Sequence, residues 1–211
     1  MANTAALEGI NGLRDIRRSP ASHLAAALEA GSVEGTIVLK EGPFQTMAGI
    51  RVDPRSEQGA RIASVAGGLP ARCGEVGGSG SVSVLWLGPA EFLVVAPEEA
   101  HDSLGGDLIG ALTAALGDAP GQVVDLSANR TTFELSGPRA RAVLEKGCAV
   151  DLHPRSITPG TALSTEVGNI PVVLHKSGED SFRLFPRASF ADFLGRWLLD
   201  AMREYASPEV P

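Results

Sequence analysis

The sequence predicts an α+β fold of two pseudo-repeated halves, each an antiparallel sheet with helices. Three stretches carry that reading. Residues 123–155, VVDLSANRTTFELSGPRARAVLEKGCAVDLHPR, place two short apolar strands around a polar turn and then open a helix at Ser136-Gly137-Pro138. Residues 81–97, SVSVLWLGPAEFLVVAP, are two apolar strands flanking the turn Gly88-Pro89-Ala90-Glu91. Residues 189–205 repeat apolar side chains at helical spacing along their whole length. Hairpins with helices between them favour antiparallel sheets over a doubly wound parallel one.

Residues 1–20 are small and polar and end in Arg-Arg-Ser-Pro, the composition of an N-terminal arm, loosely ordered or strapped along a partner. A single domain is expected over 21–206, with halves at about 21–120 and 121–206, and a tail at 207–211. Ser22 is a candidate cap for a short helix, HLAAALEA, closed by Gly31. GTIVLKEG and FQTMAGIRV read as a first strand pair around Gly42-Pro43, and residues 60–65 as a further strand. Residues 66–81, AGGLPARCGEVGGSGS, are the most glycine-rich part of the chain. A phosphate-cradling loop needs GxxxxGKS/T followed by a helix, and neither is present. The stretch reads instead as a flexible or partner-ordered loop.

In the hairpin, Val84, Trp86, Phe92 and Val94 share one face, although both strands are apolar enough to be covered on both. Glu98 and Glu99 suit the first turn of a helix, where the dipole favours acids. Leu104, Leu108, Ala111, Leu112 and Ala115 form the apolar stripe of that helix, and Gly117 stops it. In the 123–155 unit, Ser136 or Gly137 caps the helix and Pro138 has no N–H to leave unpaired. Ala140, Val143 and Leu144 are its core face and Gly147 its end. TALSTEV and IPVVLHK are strands joined by Gly168-Asn169, and FRLFP is another after Ser177-Gly178-Glu179-Asp180. Ser189 caps the last helix, with Asp192 three residues on. Phe190, Phe193, Leu194, Trp197, Leu198, Ala201 and Tyr205 form its apolar face, opposite Asp192, Arg196 and Asp200 at i,i+4 spacing. Four aromatics on one helix face mark a major core contact or, alternatively, a partner groove.

Composition narrows the function classes. The chain has 211 residues, 44% hydrophobic and 20% charged, enough to bury a sizeable core. Its formal net charge is −7 and no basic run exists beyond Arg14, Arg17 and Arg18, which argues against nucleic acid. An acidic surface repels anionic membranes, and no apolar run reaches the roughly 18 residues a bilayer span needs. The N-terminus lacks a basic region followed by an apolar one, so a cytoplasmic location is expected. Cys73 and Cys148 form no CxxC and read as free thiols in that setting, although sequence leaves a disulfide open.

Few residues offer chemistry. No GxSxG elbow is present; Ser79 lies in GGSGS without a strand before it or a helix after it. His23, His101, His153 and His175 stand apart, so no metal site is indicated. His153, in Asp151-Leu152-His153-Pro154-Arg155, is either a general base held by Asp151 or, more commonly for such a residue, a turn-closing side chain. A hydrolase built on this pair lacks a nucleophile. Asp125 lies on an apolar strand that reads as buried, with Arg130 in the following turn. The two either orient a substrate carboxylate through the Arg fork or pair with each other or the backbone. Trp86 can stack on a ring-shaped ligand, but a core role is commoner. No GxGxxG follows a strand. The chain thus shows a fold and no self-contained active site, although sites assemble from scattered residues too.

LSGPRARAVLEKGCAVDLHPR, taken with VLWLGPAEFLVVAP at 84–97, resembles the gamma subunit of heterotetrameric sarcosine oxidases. The order of segments agrees from Arg18 to Tyr205. The likeness is carried by Trp86, Leu87, Gly88, Asp125, Arg130, Ser136, Gly137, Pro138, Gly147, Asp151, His153 and Pro154. It implies a fold similar to the folate-binding domain of the glycine-cleavage T-protein. It also implies a non-catalytic place in a flavin-dependent complex that turns sarcosine, oxygen and tetrahydrofolate into glycine, hydrogen peroxide and methylene-tetrahydrofolate. The implied partners are alpha, beta and delta subunits. FAD, FMN, NAD and tetrahydrofolate are expected on alpha and beta, and zinc on delta. No catalytic, cofactor-binding or metal-binding residue carries over to this chain. The alternative is a free-standing folate-binding protein of the T-protein type, with Trp86 stacked on a pterin and Arg130 holding a glutamate tail; fold alone does not decide between them.

Overall fold

The computed structural model describes residues 16–206. Helix α1 (Ala25–Ala30) leads into strand β1 (Val38–Glu41) and then β2 (Thr46–Arg51). Helix α2 (Glu57–Ala66), β3 (Val76–Gly77), β4 (Ser83–Gly88), β5 (Glu91–Ala96), α3 (Leu108–Leu116) and β6 (Gln122–Asp125) follow. The rest is β7 (Phe133–Ser136), α4 (Ala140–Glu145), β8 (Thr161–Val167), β9 (Ile170–Gly178), β10 (Ser181–Pro186) and α5 (Ala191–Ala206). The strands form two antiparallel sheets, ordered β3-β4-β5-β2-β6 and β1-β7-β10-β9-β8.

Period-two alternation along the strands sorts the core into three layers. Ala48, Ile50, Val84, Phe92 and Val94 of the first sheet pack with Ile62 of α2 and Leu108, Leu112 and Leu116 of α3. Phe133, Leu135, Leu174, Phe182 and Leu184 of the second sheet pack with Leu28 of α1, Val143 and Leu144 of α4, and Leu194 and Leu198 of α5. The opposite faces of the two sheets meet in a third cluster. There Met47, Leu85, Leu93 and Val95 lie against Ala162, Val173 and Phe185. The result is a helix–sheet–sheet–helix stack. Each large apolar side chain so buried contributes about 1.5–3 kcal/mol.

The pairing of strands departs from the expected hairpins. The stretches around Gly42-Pro43 do not pair: β1 joins β7 while β2 joins β5 and β6. VVDL and TTFEL part in the same way, since β6 lies on β2 and β7 lies between β1 and β10. Both links are crossovers from one sheet to the other, and they bond to each other. Gly42 N–H donates to Thr132 O at 2.9 Å and Leu126 N–H to Met47 O at 2.8 Å. The expected division near residue 120 is therefore crossed twice, because β6 completes the first sheet and α1 with β1 completes the second. Each sheet is a βαββαβ unit with one extra edge strand. Elements β2-α2-β4-β5-α3-β6 make the first, and β7-α4-β9-β10-α5 make the second, whose last strand is β1 from the start of the chain.

Residues 60–65, expected as a strand, lie inside α2. The Ser56 hydroxyl accepts the Gly59 N–H at 2.9 Å, Glu57 occupies the first turn, and Gly67 ends the helix at φ +83°. The cap lies upstream of the stretch that reads as strand. The 98–117 helix is shorter than expected. Two 3-10 turns, Glu98–Ala100 and Asp102–Leu104, precede α3, and the Asp102 carboxylate accepts the Ile109 and Gly110 N–H groups at 3.2 and 3.0 Å. Ser22, Ser136 and Ser189 cap no helix through their side chains: Ser22 and Ser189 sit within 3-10 turns, and α4 opens after Arg139. In α5, Phe193 points outward and is 53% exposed, while Met202 takes a place on the buried face. Trp197 is half-buried because Gly147 and Gly168 clear its ring; a Cβ on Gly168, which has φ +59°, would stand 2.9 Å from Trp197 Cδ2. The glycine-rich loop carries β3, and the Gly74 carbonyl accepts the Ala162 N–H of the second sheet at 3.0 Å. The expected arm at 1–20 falls outside the described residues up to position 15, and the tail at 207–211 falls outside them entirely. Among the described residues no helix is long and apolar enough to cross a membrane.

Candidate functional site

The two crossovers enclose a cleft of about 410 Å³. Phe44 comes from the first, Ser127, Ala128 and Arg130 from the second, and Arg17 and His101 close it. This is the place to which the structure brings Asp125 and Arg130. They do not pair with each other. Asp125 is exposed, because β6 is an edge strand, which corrects its expected burial. Its Oδ2 lies 3.0 Å from His101 Nε2, and Oδ1 accepts the Ser127 N–H at 2.9 Å. Burial pushes the Asp125 carboxyl up, but the bonds from Ser127 and then His101 outweigh it and hold the group below its ordinary value.

The His101–Asp125 contact has no sequence signature, since the two residues come from different elements. His101 Nδ1 lies 2.7 Å from the Ser103 hydroxyl. Asp125, His101 and Ser103 thus follow one another as in a carboxylate–imidazole–hydroxyl relay. The same Nδ1, however, accepts the N–H of Ser103 at 3.1 Å, which pins the ring as the cap of the Asp102–Leu104 turn.

Arg130 is bound differently. Its Nη1 donates to the Phe185 carbonyl at 2.7 Å, and its buried Nε has no partner. Burial, with the positive charge of Arg187 beside it, lowers the guanidinium pKa. Arg17 forms an ion pair with Glu98 at 2.5 Å and stacks 4.0 Å over the Phe44 ring.

The other nominated residues stay apart from the cleft. The His153 N–H donates to Asp151 Oδ1 at 2.9 Å and its Nδ1 accepts the Arg155 N–H at 3.2 Å, so this exposed histidine closes a turn. Trp86 packs on the core between the first sheet and its helices and is not among the walls of the cleft that holds Arg130, which leaves the expected pterin and glutamate pair without a shared site. Cys73 and Cys148 are free, and burial raises the Cys148 thiol pKa. No group of three His, Cys, Asp or Glu side chains is placed to hold a metal among the described residues.

Two antiparallel sheets in this topology, each covered by helices on its outer face, define an α+β protein. The glycine cleavage system aminomethyltransferase T from Bartonella henselae shares that fold at a TM-score of 0.60 and 16% identity, over 82% of this chain and 48% of that one. A chain of the heterotetrameric sarcosine oxidase from Corynebacterium sp. U-96, solved in complex with pyrrole 2-carboxylate, matches at a TM-score of 0.85 and 48% identity, over 93% of this chain and 100% of that one. Sarcosine oxidase subunit gamma from Arthrobacter sp. is 50% identical over 92% of this chain and 94% of its own length. That from Corynebacterium sp. (strain P-1) is 51% identical over the same shares. The model of the sarcosine oxidase gamma subunit family matches residues 59–204. The chain belongs to the sarcosine oxidase gamma subunit family.

Proposed function

We propose that this chain is the gamma subunit of a heterotetrameric sarcosine oxidase and serves there as a structural partner without catalytic, cofactor-binding or metal-binding residues of its own. The observation that carries this reading is the match to a chain of a heterotetrameric sarcosine oxidase, at 48% identity over 100% of that chain. The partners are alpha, beta and delta subunits in the cytoplasm. FAD, FMN, NAD and tetrahydrofolate belong to alpha and beta, and zinc belongs to delta. The assembly oxidises sarcosine to glycine with oxygen as acceptor, and the one-carbon unit passes to tetrahydrofolate. The free-standing folate-binding reading loses its support because Trp86 is not among the walls of the cleft that holds Arg130.

Co-purification tests this. The tagged chain, expressed in its native cytoplasm, is expected to elute with three further chains and a flavin spectrum. Separated from them, it is expected to be colourless and inactive on sarcosine. Elution as a colourless monomer, or turnover of sarcosine by the isolated chain, refutes the proposal.

A further inference from the structure

The crossover cleft is lined by three arginines in a chain that is acidic overall. The formal net charge of the protein is −7. Yet Arg17, Arg18 and Arg130 line the cleft, and Asp125 is the acidic side chain that faces them. Asp125 is bonded to His101 and Ser127, and Arg17 to Glu98. Arg130 has no carboxylate within ion-pair reach among the described residues. It has one carbonyl at 2.7 Å, a buried Nε without a partner, and the positive charge of Arg187 beside it. A guanidinium drawn out of water in this way is costly until a counter-charge reaches it. Its planar fork presents parallel donors that match a carboxylate.

The walls beside it are apolar, formed by Pro20, Phe44 and Ala128. Phe44 holds φ at +59°, a left-handed conformation that is an outlier for a bulky residue and recurs at ligand clamps. The volume, about 410 Å³, suits a small organic ligand.

We propose that this cleft binds a carboxylate group carried on a small apolar body, with Arg130 as the anchor and Phe44 and Pro20 as the walls. Two sources supply that chemistry: a free small carboxylate, or a carboxylate side chain offered by a neighbouring subunit. The inference concerns this chain's own cleft and stands whether or not the chain joins a complex.

Propionate is titrated calorimetrically into the purified full-length chain at constant ionic strength, with propanol as the uncharged control. One saturable propionate site is expected, with no response to propanol. Arg130→Met is expected to weaken binding by roughly tenfold to a hundredfold, the range that a charge-assisted bond spans. That substitution also removes the bond to Phe185, so Ala128→Glu provides a second variant. Ala128 is exposed on the cleft wall, and a carboxylate placed there competes with propionate without disturbing the core. A loss of affinity of the same order is expected.

The assembled complex separates the two sources. One propionate site fewer in the complex carrying Arg130→Met identifies a free ligand. Equal site numbers in the two complexes, together with binding to the free chain, identify a neighbouring subunit as the source. Absence of saturable propionate binding to the free chain, or binding that survives both substitutions unchanged, overturns the proposal.

Discussion

His175 makes the stability of this protein depend on pH. The residue lies on β9 opposite Ala162 and Arg183, is 7% exposed, and has no partner for Nδ1. Burial, then the charge of Arg183, lowers its pKa from 6.5 to about 4. Above pH 6.5 the ring is neutral in the folded and unfolded chains alike, and stability is full. Between the two values the unfolded chain takes up a proton that the folded chain refuses. Stability therefore falls as pH drops from 6.5 and levels off below about 4, where both states are protonated. At roughly 1.4 kcal/mol per pH unit, that window is worth about 3 kcal/mol. Asp125 and Asp151, whose pKa values are lowered, add a further loss at lower pH, and they do so with or without His175. Comparison with His175→Gln isolates the histidine. Urea unfolding followed by the fluorescence of Trp86 and Trp197 gives the free energies. Between pH ~7 and pH ~4 the wild type is expected to lose about 3 kcal/mol more than the variant. A difference that stays constant within about 0.5 kcal/mol across that range refutes the reasoning.

Two further substitutions test the packing. Phe185→Ala empties part of the cluster where the two sheets meet, and a loss of about 3–5 kcal/mol is expected in the same urea assay; a loss under about 1 kcal/mol would remove that cluster from the core. Ser56→Ala leaves the Gly59 N–H without its acceptor at the start of α2, and is expected to cost about 1 kcal/mol, read as a lowered midpoint of thermal unfolding. An unchanged midpoint would mean that water replaces the cap.

Local structure was largely legible in the sequence, and pairing was not. The hairpin of β4 and β5, the turn at Gly168-Asn169 and the strand at 181–186 follow from turn chemistry and alternation within a few residues. Nothing in a window of that size says that β1 lies on β7, because the contact links distant parts of the chain. Asp125 was misplaced for a related reason. VVDL is apolar enough for a central strand, but β6 is an edge, and Val124 is 37% exposed. Phe193 shows the limit of helical spacing, which groups side chains by angle without saying how wide the covering surface is. The cleft was half legible. Arg130 and Asp125 stood out as charges beside apolar strands, whereas Phe44 and His101 reach the site only through the crossovers and the turn before α3.

The exchange of strands links the fold to the site. Each sheet receives an outer strand from the other half of the chain, so neither half completes its sheet alone. The outer edge of β1 is closed by Ser32, whose hydroxyl accepts the Leu39 N–H at 3.0 Å, and by the antiparallel bridge between Val33 and Ile37. This protects it from pairing with another chain. The two crossovers that carry out the exchange are also the walls of the cleft. Phe44 is held at its unusual φ between the ends of β1 and β2, and Arg130 is held by the Phe185 carbonyl of β10. The cleft therefore exists only when both sheets are complete and packed on each other. Its geometry reports the integrity of the whole chain, which is why an anion bound there would stabilise both sheets together instead of one half.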